Sequence, residues 1–76
     1  MNTFYIKLST IEDIRKFVDI VTRQDYDIDL SSGRYVVDAK SIMGIFSLDL
    51  MIKILLTAHT DDVEDLKKAL AAYIVE

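Results

Sequence analysis

The apolar residues of this chain change period along its length, from two to 3.6 and back, and that alternation restricts its folds more than any other feature. In TFYIKL, residues 3–8, Phe4, Ile6 and Leu8 alternate with Tyr5 and Lys7, the pattern of a half-buried strand. In STIEDIRKFVDIVTRQ, residues 9–24, Ile11, Ile14, Val18 and Val21 recur at helical spacing and Phe17 widens the stripe. Ser9 with Glu12, or Thr10 with Asp13, can close a capping box at its start. YDIDL at 26–30 alternates again, SSG at 31–33 is turn chemistry, and RYVVDA at 34–39 returns as a strand, which predicts a hairpin. Ser41 then opens a short apolar helix over about 41–48. MIKILLTA at 51–58 reads as a nearly continuous apolar strand, covered on both sides or central in a sheet. In TDDVEDLKKALAAYIVE, residues 60–76, Thr60 is the expected N-cap, and Val63, Leu66, Leu70, Tyr73 and Ile74 form the buried stripe of a last helix.

The order βαββαβα predicts one α+β domain over residues 1–76, an open-faced sandwich whose four-stranded, antiparallel-type sheet is covered on one face by helices. A helix links the first two strands, so they run parallel, with the last strand inserted between them. At 76 residues without cysteine, disulfides and thiolate metal sites are excluded, and stability rests on packing alone. The net charge of −4 argues against nucleic acid, whose phosphates need clustered Lys and Arg. The longest apolar run, Ile42–Leu56, contains Asp49 and Lys53 and is too short for a bilayer. No secretory pattern opens the chain, so a cytoplasmic protein without membrane contact is expected. No metal-ligand spacing or Gly-rich phosphate loop is present, and no cofactor is expected.

Element order together with AKSIMGIFSL at 39–48 and LKKALAAYI at 66–74 resembles the HPr family, the small phosphocarriers of the sugar phosphotransferase system. The first of these segments is similar to the family's regulatory-serine segment almost residue for residue. The resemblance implies a Gly-x-His-x-Arg-Pro motif at the start of the first helix, whose histidine relays a phosphoryl group from enzyme I. A gapless alignment lays IEDIRK, residues 11–16, over it: Arg15 matches the arginine, Asp13 replaces the histidine, Ile11 the glycine and Lys16 the proline. A free helix N-terminus attracts anions, but Glu12 and Asp13 would occupy its donors and repel a phosphate. Phosphotransfer, and with it a catalytic role, is expected to be lost, as in the catabolite-repression HPr-like proteins. His59, the sole histidine, ends the last strand, roughly 20 Å from residue 11 at about 3.3 Å per residue. A phosphocarrier working through Asp13 or His59 is the alternative.

Ser41 is an expected N-cap, its hydroxyl accepting from Met43 or Gly44. The resemblance adds a regulatory role: phosphorylation of Ser41 by an HPr kinase, with Lys40 beside the phosphate, and binding of a transcriptional regulator. It also implies that Ile42, Met43 and Phe46 form a docking patch while Ile45 and Leu48 pack inward. The same patch suits permanent burial in a homo-oligomer or structural module equally well.

Overall fold

A computed structural model describes residues 2–76. Its strands are β1 (Asn2–Ile6), β2 (Ile28–Ser32), β3 (Tyr35–Asp38), β4 (Ile54–Ala58) and β5 (Ile74–Val75); its helices are α1 (Ile11–Thr22), α2 (Ile42–Phe46) and α3 (Glu64–Ala69). The sheet order is β3-β2-β4-β1-β5, with every neighbouring pair antiparallel. β4 therefore separates the parallel strands β1 and β2, as the long helical connection predicts. Period-two alternation sends Ile6, Ile28, Leu30, Ile54, Leu56 and Ala58 to one face, where they are buried against Ile14, Phe17 and Val21 of α1, Ile45 of α2 and Leu66 of α3. The opposite face is left to solvent.

Five strands stand where four were expected. The last helix ends at Ala69 instead of continuing to residue 76, and Ile74–Val75 pair with Ile6 and Tyr5. Without β5, β1 would be an edge strand with one row of unpaired backbone groups. Two β-branched residues and the Lys7 N–H bond to the Tyr73 carbonyl (2.8 Å) outweigh the helix propensity of Ala71–Ala72. Thr60 is not the N-cap of α3. The helix begins after Val63 without a side-chain cap, and the Asp62 carboxylate accepts from the Glu64 N–H (3.0 Å) just ahead of it.

Three smaller differences have local causes. The hairpin turn is Gly33–Arg34, with Ser32 paired to Tyr35, so Ser31 and Ser32 belong to β2. Gly33 has φ +60° and Arg34 does not go positive, the type II′ signature that favours glycine at the first turn position. Ile11 is exposed although it lies on the apolar stripe. Helical side chains lean toward the N-terminus, so the first residue of a helix overhangs the preceding loop. β4 starts at Ile54, three residues later than its apolar run, because Asp49 accepts from the Met51 N–H (3.0 Å) and turns the chain there.

Candidate functional site

The first turn of α1 is closed by its own side chains. Thr10 is the N-cap: its hydroxyl accepts from the Asp13 N–H (3.0 Å), and Asp13 Oδ2 accepts from the N–H groups of Thr10 (3.3 Å) and Ser9 (3.2 Å). Of the two capping boxes open to the sequence, this is the one formed. The carboxylate at position 13 thus holds the two amides that lead into the turn, and Glu12 beside it adds a second negative charge. Arg15 is exposed on the outer side of α1, and among the described residues no hydrogen bond or ion pair engages it. Lys16 lies 3.9 Å from Glu12, an exposed pair of little energetic weight.

The start of α2 differs. Ser41 is exposed and is the N-cap, its Oγ accepting from the Gly44 N–H (3.2 Å), and the first turn contains no acidic residue. Gly44 has a packing reason: a Cβ there would stand 3.2 Å from Cβ of Val37 on β3. α2 is therefore seated close on the sheet, which orients its faces. Ile45 and Leu48 are buried; Ile42 is half-buried against the core; Met43 is 76% and Phe46 44% exposed. Ile45 and Leu48 thus face the core and Met43 and Phe46 the outside, whereas Ile42, expected on the outer patch, packs partly against the core.

Lys40 does not stand free beside Ser41. Its ammonium donates to the Gln24 carbonyl just past the end of α1 (2.8 Å), sixteen residues away in sequence. Two further apolar residues, with no site role expected of them, are exposed nearby in sequence. Met51 and Ile52, expected inside a covered strand, lie in the loop after α2 and are 82% and 49% exposed. The Asp49 turn was the available signal.

His59 lies just past β4, beside Asp27 and Asp29 of the neighbouring strand and its approach. Its N–H donates to the Asp27 carbonyl (2.9 Å), and Nε2 is 2.7 Å from Asp29 Oδ2, an ion pair only when the ring is protonated. Asp29 is the direct cross-strand partner of Asp38, and Asp61 and Asp62 come shortly after His59. The β1–β4 pairing sets Ala58 opposite Asn2, at the far end of β1 from α1, so nothing joins His59 to the Asp13 region. An imidazole among carboxylates is a poor place for a dianionic phosphoryl group. Among the described residues no three His, Cys, Asp or Glu side chains converge as metal ligands, no pocket is enclosed, and no helix is long and apolar enough to cross a membrane.

No protein-family model and no curated protein matches the chain. Solved structures do. HPr-C-His from Thermoanaerobacter tengcongensis superposes with a TM-score of 0.79 at 29% identity, covering 95% of this chain and 89% of that one. A phosphocarrier protein HPr from Bacillus anthracis str. Ames is 31% identical over 97% of this chain and 96% of its own, with a TM-score of 0.73. The chain belongs to the HPr family. The family's phosphocarrier-type fold is retained through both the capped α1 start and the seated α2.

Proposed function

We propose that this chain is a non-catalytic, regulatory member of the HPr family that docks protein partners through α2 and carries no phosphoryl group on α1. One observation supports this reading above the rest: Asp13, at the position of the family histidine, spends its carboxylate on the Ser9 and Thr10 amides. An incoming phosphate would have to displace a fixed anion from those donors, and no imidazole is there to receive it. The docking surface is the outer side of α2, Ile42, Met43 and Phe46, and the loop after it exposes two more apolar side chains, Met51 and Ile52. Exposed methionine and phenylalanine on a well-seated helix suit an adaptable apolar contact.

Ser41 is the proposed switch on that surface, phosphorylated by an HPr kinase. Its hydroxyl is exposed, and no carboxylate in the first turn of α2 opposes a new negative charge. Lys40 would join a phosphate only by leaving the Gln24 carbonyl, so modification at Ser41 would also loosen the α1–α2 connection.

Treatment with ATP and HPr kinase tests the switch. One added phosphoryl group on the wild type and none on Ser41→Ala is the expected pair of masses; modification of both, or of neither, contradicts it. The docking half is read from kinase recognition, with Met43→Asp and Phe46→Asp expected to abolish it while leaving the fold intact by circular dichroism.

A further inference from the structure

The open face of the sheet is not the polar surface that a solvated antiparallel sheet usually presents. The strand registers place Val36, Ser31, Leu55, Tyr5 and Val75 in a single row crossing all five strands, β3 to β5. Four of the five are apolar or aromatic. Val36 is 66% and Tyr5 39% exposed, with Leu55 and Val75 half-exposed between and beyond them. Among the described residues no helix lies on this side.

Charge is sorted across that row. On one side the next row is Asp38, Asp29, Thr57 and Thr3, where the two aspartates are direct cross-strand partners, an arrangement that costs stability in isolation. On the other side stand Lys53 and Lys7 by alternation, with Arg34 in the β2–β3 turn at the same end. Lys53 is held on this face: its ammonium lies 4.3 Å above the Tyr5 ring and donates to the Glu76 carbonyl (3.2 Å). The aspartates thus stand on β2 and β3 at one margin; at the other, Arg34 stands on the β2–β3 turn and Lys7 and Lys53 beside β1 and β4, the Lys53 ammonium reaching over Tyr5.

We infer that this face pairs with a second copy of the chain, sheet on sheet, about a two-fold axis lying along the apolar row. That operation sets each residue of the row against its own copy and brings the aspartate end of β3 in one protomer over the Arg34 turn of the other. Asp38 then lies over Arg34 of the other copy, while Lys53 and Lys7 lie over Thr57 and Thr3. The alternative axis, along the strands, would leave aspartate facing threonine and gain nothing from charge. Five strands about 4.8 Å apart make a face roughly 19 Å wide between its outer strands. Such a contact falls at the small end of specific interfaces, so the dimer is a weak one. This surface is opposite to the helical layer and independent of the proposed docking role of α2.

Sedimentation across a concentration series tests the pairing, with concentration-dependent NMR shifts at Leu55 and Val75 as a readout that needs no variant. The expected result is a dimer weakened at least tenfold by Tyr5→Lys and by high salt, and unaffected by Phe46→Asp. Charge reversal is the sharper arm. An Arg34→Glu protein and an Asp38→Lys protein should each remain monomeric, and an equimolar mixture should dimerise. A wild type that stays monomeric to millimolar concentration overturns the inference. So does a dimer broken by Phe46→Asp and not by Tyr5→Lys, or a failure of the two folded charge-reversed proteins to pair.

Discussion

The starts of α1 and α2 share one device and differ in everything around it. Each begins with a hydroxyl residue whose oxygen accepts from the amide three residues on, Thr10 from Asp13 and Ser41 from Gly44. At α1 the third residue is an aspartate that reaches back and takes two more amides, with Glu12 alongside. At α2 the third residue is a glycine, which returns nothing and lets the helix settle against Val37. One helix start is therefore reciprocally capped and negative, the other singly capped and exposed. The residues of the first turn, more than the cap itself, set the chemistry open to a helix start, and the two sites divide accordingly between a structural and a proposed regulatory role.

The largest effect expected from breaking this contrast comes from the inner side of α2. Ile45→Ala should cost about 2–5 kcal/mol in chemical denaturation, because Ile45 is fully buried, whereas Met43→Ala on the outer side should change stability by less than about 0.5 kcal/mol. Equal costs would mean that the outer side chains are structural. Next in size is the reciprocal cap: Asp13→Ala should lose about 1 kcal/mol, and Asp13→Asn, which keeps an acceptor, clearly less. Ser41→Ala comes third at about 0.5–1 kcal/mol, since one amide of a five-residue helix loses its partner.

The smallest effect tests the third helix start, where acids gather without a side-chain cap. Burial first, then the charges of Asp25, Asp62 and Asp65, raise the Tyr26 phenol above its usual pKa of 10.0. A folded-state value above the unfolded one stabilises fully below pH 10 and is lost as pH rises through the folded value. Stability measured from pH 9 to 12 should therefore fall more steeply for the wild type than for Tyr26→Phe. Parallel curves would remove the acidic cluster from contention as an influence on Tyr26.

Much of this was legible in the residues because it is local. Periodicity placed β1, α1, the hairpin and β4, and both caps are bonds between residues three apart. Non-local partners were hidden. The helix-like spacing of Leu70, Tyr73 and Ile74 concealed β5, whose existence depends on an unpaired edge of β1 some seventy residues earlier in the chain. Lys40 read as a neighbour of Ser41 because its true partner, Gln24, is sixteen residues away, and the His59–Asp29 contact spans thirty. Met51 and Ile52 were masked by continuity: an unbroken apolar run looks like a strand until the Asp49 turn is given weight.

Incubating the purified protein with phosphoenolpyruvate and enzyme I and weighing it intact tests the central claim most directly. The mass should remain that of the unmodified chain under conditions that fully phosphorylate a histidine-bearing HPr. Gain of one phosphoryl group, on Asp13, His59 or elsewhere, would show that the scaffold still relays phosphate and would contradict the account.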